Sequence, residues 1–442
     1  MEKVNLRMSA LSLAVAVIAY FMPLGLEPRA HVMFFVMVFV AVLWVTESAP
    51  LYATAILAGF LLVTLVGISP SGVFSEYFNP VVVLLLGGFA IAVAMRKYGL
   101  DAYIANRIMS RAGSRPSVVI LALMSTAVAI SMWISNSATA AIVMPVAIVI
   151  LAKNKLKKGT SNFGKAAVLA VGYGATIGGM GTIIGSTPNV ISAGFLSASG
   201  IKFGFFEWFW RGFPFMLLMM LVGWAVLMVV FRPEKKKIEM TITISKMTRN
   251  QKKVLAIFLL TVVLWITEGV HGINNSVVAL VPFILFYFTG ILGTPDFSKI
   301  DWPTLVLVGG GLALGMGIHA TALDSSIASV ISGAAGGHGI LALFFILGLF
   351  GVLLTVFISN TTAAAVYLPI VVALASSFGA DVTNTVVVAA LGVSLDFIFP
   401  FGTPPTAIAY GTGYVRTKDI AKAGILISIL GIILLSLVGI LW

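Results

Sequence analysis

The chain is 442 residues long, with 60% apolar and only 10% charged residues and a mean hydropathy of +1.10. No soluble domain of this size could keep a wetted surface on that composition, so the solvent has to be a bilayer. The net charge of +12 sits in loops and reads as membrane topology rather than nucleic-acid binding, and the lack of cysteine excludes disulfides and thiolate metal sites.

The apolar runs are long and lack the alternation of barrel strands, so the expected fold class is an all-α polytopic membrane protein. Residues 11–26 follow Lys3 and Arg7 and superficially resemble a signal peptide. With no small-residue cleavage site after them, they read as a retained first helix. Spans are expected at 9–26, 30–49, 52–70 and 80–96. Lys and Arg then cluster at Arg96, Lys97, Arg107, Arg111 and Arg115, between 153 and 165, through 232–253 and at 416–422. The positive-inside rule makes all of these cytoplasmic, with the N-terminus.

Two stretches do not fit as single crossings. Residues 117–151 are about twice as long as one span needs, are basic at both ends and break at Ser135-Asn136-Ser137. A re-entrant hairpin from the cytoplasm satisfies length and charge together. Residues 337–378 are similarly long and break at Ser359-Asn360-Thr361, but no Lys or Arg flanks them, so this hairpin enters from outside. Further crossings near 166–200, 213–231, 254–271, 275–293, 303–320, 384–414 and 423–442 give about eleven transmembrane helices plus two hairpins. The C-terminus is then external.

The chain repeats itself. Val42-Leu43-Trp44-Val45-Thr46-Glu47 returns as Val263-Leu264-Trp265-Ile266-Thr267-Glu268. Pro80 with Gly87-Gly88 returns as Pro303 with Gly310-Gly311, and Leu100-Asp101 as Leu323-Asp324. Ile134-Ser135-Asn136 returns as Ile358-Ser359-Asn360, each followed by an Ala-rich helix and a proline, Pro145 or Pro369. Gly185-Ser186-Thr187-Pro188 returns as Phe401-Gly402-Thr403-Pro404. Five ordered landmarks at offsets of 216 to 224 residues define an internal repeat. Each unit has an odd number of crossings, so the copies lie inverted, which is the architecture of transporters with broken helices at the midplane.

Helix breaks in lipid must find partners or line a cavity. A hairpin tip presents carbonyl oxygens at the end of its first helix, which suit Na⁺, and amides at the start of its second, which suit a carboxylate. Ser135, Asn136, Ser137, Ser359, Asn360, Thr361 and Thr362 add short oxygen-bearing side chains, and the Thr-Pro loops at 185–189 and 402–406 supply the opposite wall. A cation at each tip with a dianion between them is electrostatically self-consistent. No Lys, Arg or His stands near either tip to replace the ion, which favours sodium coupling.

The paired Ser-Asn-(Ser/Thr) tips, the Ala-rich helices with proline and the partner Thr-Pro loops resemble the divalent anion/sodium symporters, the INDY-type di- and tricarboxylate carriers, across essentially the whole chain. The resemblance implies a homodimeric elevator transporter without organic cofactor. Its scaffold would be 1–114 and 254–336, its moving transport domain 115–231 and 337–442, and 232–253 a cytoplasmic linker. It implies two or more co-transported Na⁺, held by Ser131, Ser135, Asn136 and Gly185 in the first half and Thr355, Ser359, Asn360, Gly402 and Pro404 in the second. It implies substrate contacts from Asn136, Ser137, Ser186, Thr187, Asn360, Thr361, Thr403 and Pro404. The substrate would be a C4-dicarboxylate such as succinate, malate or fumarate, carried through a prokaryotic inner membrane, with lipid the remaining partner and no nucleic acid. A sodium-independent exchanger and an inorganic oxyanion permease are the alternatives. Two departures stand out: Ser137 where the family has Thr, and Thr406 where the family, and Asn189 in the first copy, have Asn.

Other polar residues fit plainer roles. Glu47 and Glu268 sit at matching span ends, and Asp101 and Asp324 precede amphipathic segments at 103–109 and 327–331 that would lie in the interface. Asp396 is an acid inside the tenth span. His271, His319 and His338 lack ligand spacing. A channel would need a continuous polar pore. An intramembrane enzyme would need a nucleophile and base, and the spans carry no Ser/His or paired-Asp motif.

Overall fold

A computed structural model of the chain describes residues 5–240, 245–327, 339–377 and 379–442. Every regular element among them is helical. The first copy opens with α1 (Leu6–Tyr20), α2 (Pro28–Thr46), α3 (Leu51–Thr64), the short α4 (Pro70–Ser75) and α5 (Pro80–Tyr98). Prolines start α2 and α5 at positions whose N–H has no helical partner. Gly99, at φ +65°, ends α5 and turns the chain into α6 (Leu100–Met109), which carries the expected amphipathic segment. Of its counterpart at 327–331, only Ile327 lies within the described residues, and His338 lies outside them.

The first hairpin is α7 (Pro116–Ser131) and α8 (Asn136–Lys153). Next come α9 (Asn162–Gly179), α10 (Thr187–Ala198) and α11 (Phe205–Val230). The second copy runs through α12 (Arg249–Ile266), α13 (Glu268–His271), α14 (Asn275–Val278), α15 (Leu280–Phe288), α16 (Thr294–Phe297) and α17 (Trp302–Ala320). Its hairpin is α18 (Ile340–Thr355) and α19 (Asn360–Ser377), followed by α20 (Val382–Val393), α21 (Pro404–Gly411) and α22 (Thr417–Leu441). The stretches expected as crossings at 166–200 and 384–414 are therefore two helices in series, α9–α10 and α20–α21. Both hairpin turns are four residues long, 132–135 and 356–359, so Asn136 and Asn360 open a helix instead of sitting in the turn. By length and apolarity, six stretches among the described residues can cross a bilayer: α2, α4 with α5, α8, α11, α17 and α22. This is an integral membrane protein.

The two copies exchange partners. Helix α5 packs on α12, α14 and α15 of the second copy, while its counterpart α17 packs on α2 and α3 of the first. Helix α10 packs on α19 and α20, while α21 packs on α8 and α9. Such reciprocity is what a pseudo-two-fold produces, as in an isologous interface. Matching glycines allow it. A methyl on Gly87 would lie 2.2 Å from the Ala279 carbonyl oxygen, and one on Gly310 would lie 2.5 Å from Ala55 Cβ. Without a side chain at these positions the helix backbones can touch.

The segment expected as a simple linker is strapped to its surroundings at 234–239. Glu234 accepts hydrogen bonds from the Ser161 hydroxyl and the Phe163 N–H, Lys235 donates to Asn154 O, and Ile238 N–H donates to Ser114 O. Burial raises the Glu234 pKa, but these hydrogen bonds outweigh it and hold the carboxyl below its ordinary range.

Candidate functional site

The two tips and the two helix breaks meet around one cavity of about 420 Å³. Its wall contains Ser135, Asn136 and Ser137 of the first turn and Ser359, Asn360 and Thr361 of the second. It also contains Gly185, Ser186 and Thr187 of the first break and Gly402, Thr403, Pro404 and Pro405 of the second. All eight residues expected to touch substrate thus line a single space. Of the expected cation residues, Ser131 and Thr355 are absent from the wall and lie buried behind it.

Four helices begin at this cavity, α8, α10, α19 and α21, so four positive dipole ends converge there, with unbonded N–H groups in the first turns of α8, α10 and α19. Helix α21 opens with Pro404 and Pro405, which carry no N–H, and its Thr406 N–H donates to Thr403 O. Ser135 and Ser186 make no side-chain cap to their helices, leaving first-turn donors of α8 and α10 free for an anion, whereas Ser359 accepts from the Thr362 N–H. Thr187 and Thr361 share a hydrogen bond between their hydroxyls and tie the two halves together across the cavity. Among the described residues, no Lys, Arg or His lines it.

In the first half, the Ser131 hydroxyl lies 2.8 Å from Asn136 Oδ1 and 2.6 Å from Ala175 O. One hydroxyl proton cannot serve both acceptors, so an oxygen–oxygen approach is left over, which a cation would relieve. Gly179 lies directly under this group. A methyl there would sit 2.5 Å from Asn136 Oδ1 and 3.1 Å from Gly185 O. The freed carbonyls of the break have partners: Asn189 Nδ2 donates to Gly179 O and Thr182 O, both at 2.8 Å, and Trp208 Nε1 donates to Met180 O.

The second half is less complete. The Thr355 hydroxyl shares its one proton between Gly351 O and Val352 O of its own helix, at 3.1 and 3.0 Å, and Thr406 bonds Thr403 instead of the break's carbonyls. Asn360 Oδ1 is shielded from solvent and has no hydrogen-bond partner. Neither carboxylate oxygen of Asp396 has one. Its residue is 1% exposed and abuts Gly402, where a methyl would lie 2.0 Å from Oδ2. These oxygen-rich, donor-poor groups fit a hard cation, with Ser131, Asn136 and Gly185 on one side and Asn360 and the Gly402 loop on the other.

The cavity also takes in residues outside the expected set: Leu85, Gly88, Phe89 and Ala92 of α5, Trp133, and Asp301 with Thr304 at the start of α17. Asp301 is exposed and caps α17, accepting from Thr304 N–H and Thr304 Oγ1. Its one sequence signal is that the repeat places Phe78 at the corresponding position of the first copy. The histidines serve local bonds, His271 Nε2 to Leu264 O and His319 to Asp324, and no cluster of metal-ligating side chains occurs among the described residues. Glu47 caps α2 in a left-handed conformation and Glu268 opens α13, as expected for helix ends.

Apolar helices interrupted around one polar cavity are the architecture of an integral membrane transporter. The sequence pattern of the family described as the sodium:sulfate symporter transmembrane region matches residues 3–442, and the chain belongs to that family, the divalent anion/sodium symporters that its tips resemble. An uncharacterized transporter of Haemophilus influenzae is 31% identical over 94% of this chain and 92% of its own length. The sodium-dependent dicarboxylate transporter SdcS of Staphylococcus saprophyticus is 30% identical over 96% of this chain and 88% of its own. The SdcS protein of Staphylococcus aureus is 30% identical over 95% and 87%. Among solved structures, the Alcanivorax borkumensis YdaH transporter superposes with a TM-score of 0.59 at 12% identity, covering 99% of this chain and 97% of that one. Neisseria gonorrhoeae MtrF superposes with a TM-score of 0.57 at 12% identity, over 99% and 94%. These two likenesses speak to the fold alone.

Proposed function

We propose that the protein is a sodium-coupled symporter of C4-dicarboxylates such as succinate, malate and fumarate, working in a prokaryotic inner membrane. The observation that carries this is the cavity's chemistry: four helix N-termini, hydroxyls and amides face one another with no basic side chain among them. A dianion there draws its compensation from helix ends and from co-bound cations. Two carboxylates on a short carbon chain match two tips, each with its own helix start. The two SdcS relatives, by name sodium-dependent dicarboxylate transporters, point the same way.

In this reading Ser131, Ser135, Asn136 and Gly185 hold one Na⁺, and Thr355, Ser359, Asn360, Gly402 and Pro404 hold another. Asn136, Ser137, Ser186, Thr187, Asn360, Thr361, Thr403 and Pro404 hold the carboxylates. The halves 115–231 and 337–442 move as one body past 1–114 and 254–336, carrying the cavity from side to side within a homodimer. Eleven crossings, a cytoplasmic N-terminus and an external C-terminus complete the arrangement. With two Na⁺ per dianion the cargo is neutral, which lowers the cost of moving it through a low-dielectric layer.

Uptake of radiolabelled succinate into proteoliposomes tests this directly. An inward Na⁺ gradient should drive accumulation that K⁺ does not support. Absence of uptake with or without Na⁺, together with no counterflow against loaded carboxylate, would remove the proposal. Na⁺-independent counterflow would favour an exchanger, and sulfate uptake that succinate cannot compete with would favour an oxyanion carrier.

A further inference from the structure

The stretch between α20 and α21 runs from 394 to 403, whereas that between α9 and α10 runs only from 180 to 186. The longer stretch contains Asp396, an acid in the membrane interior with no counterpart in the first break, where the neutral Gly179 to Gly185 segment takes its place. We propose that the Asp396 carboxylate is a direct ligand of the cation in the second half of the cavity, giving that half a fixed negative charge that the first half lacks. The proposal rests on the sodium-coupled reading above and deepens it.

The surroundings of Asp396 leave a cation as the missing partner. Its residue is 1% exposed, and both carboxylate oxygens lack a hydrogen bond. Polar groups on the elements packed around it are engaged elsewhere. Tyr173 of α9 donates to Ile420 O, Ser428 of α22 donates to Leu395 O, and Lys165 of α9 pairs with Asp419 of α22 at 2.8 Å. Arg211 of α11 bonds Asn384 and Glu207 O. No ion pair among the described residues includes Asp396.

An isolated buried carboxylate costs several kcal/mol unless a positive charge meets it. It abuts Gly402 of the cavity wall, whose missing side chain leaves the room that a methyl 2.0 Å from Oδ2 would fill. Asn360 Oδ1, the other unpartnered acceptor of this half, belongs to the same cavity wall as Gly402. Two buried acceptors without hydrogen bonds supply oxygen ligands of the kind a hard cation takes. A single carboxylate matches a monovalent ion.

The charge difference orders the binding events. The second half can hold its Na⁺ before substrate arrives, while the neutral first half relies on the incoming dianion to stabilise its ion. Equilibrium binding of ²²Na⁺ to the purified full-length protein in detergent, without any carboxylate, reads this out. Wild type should bind one Na⁺ per protomer under these conditions, and Asp396→Asn should weaken that binding about tenfold or more. Asp396→Ser, which removes the charge and keeps an oxygen, should do the same, and it decides the matter should Asp396→Asn fail to fold. Substrate-free binding of wild-type affinity and stoichiometry in a folded Asp396→Asn protein would overturn the proposal. Succinate uptake separates the two readings. Na⁺-driven uptake whose Na⁺ dependence is unaltered by Asp396→Asn removes this inference alone, and Asp396-dependent Na⁺ binding without any carboxylate transport removes only the proposed substrate.

Discussion

The two halves of the cavity descend from one repeated sequence, yet they are bonded differently. In the first, Asn136 Oδ1 has the Ser131 hydroxyl beside it, and Asn189 joins Gly179 O and Thr182 O across the break. In the second, Asn360 Oδ1 and Asp396 have no partner, and Thr406, standing where Asn189 stands in the first copy, reaches only Thr403. The first half has more of its bonds made without ligand, although Asn189 Oδ1 is buried there without a partner, while the second leaves both Asn360 Oδ1 and the Asp396 carboxylate open. A transporter gains from such an inequality, because ligand binding can then change the energy of one wall while the other stays fixed.

Removing the tip amides should have the largest effect and should also separate the halves. Asn136→Ala and Asn360→Ala should each abolish succinate uptake, by about a hundredfold or more, while size-exclusion chromatography shows unchanged assembly. Their melting temperatures in Na⁺-free buffer should diverge. Asn136→Ala strips a bonded group and destabilises, whereas Asn360→Ala removes a buried acceptor that has no partner and is neutral or stabilising. Equal losses of stability would break the comparison. Next in size are the residues after the breaks. Asn189→Ala leaves two buried carbonyls unpaired, a cost of about 2–4 kcal/mol, and Thr406→Ala removes one hydroxyl contact worth about 1 kcal/mol. Thermal melts of both variants check this order.

The smallest effect concerns a second contrast, between two buried acids. Asp296, in the short α16, has what Asp396 lacks: Lys97 at 2.6 Å, Lys299 at 2.9 Å and the Gly293 N–H. Burial alone would raise its pKa, but these partners outweigh that and hold it far below the carboxylate range. A depressed folded pKa contributes stability that is present above the unfolded value and is lost as pH falls through the folded one. Asp296→Asn should therefore lower the melting temperature by a few degrees at pH 7, and the difference should shrink below about pH 4.

Much of this was readable from short motifs. The doubled Ser-Asn tips at 135–136 and 359–360 and the Thr-Pro loops near 187 and 403 mark positions that the fold brings to one cavity, because helix breaks in an apolar chain have few other uses. Partner choice was not readable. Ser131 and Thr355 occupy matching positions, but Ser131 reaches across to Ala175 while Thr355 turns back on its own helix. A hydroxyl's neighbours come from distant segments, and periodicity carries no information about them. The exchange of α5 and α17 between copies, and the exposed Asp301 at the cavity edge, depend on the same long-range packing.

Amide hydrogen exchange with and without Na⁺, read peptide by peptide, tests the inequality of the halves most directly. Na⁺ alone should slow exchange in 356–362 and 394–406 and leave 132–139 and 180–189 nearly unchanged, with succinate then protecting all four. Equal protection of both halves by Na⁺ alone, or protection confined to the first, would contradict it.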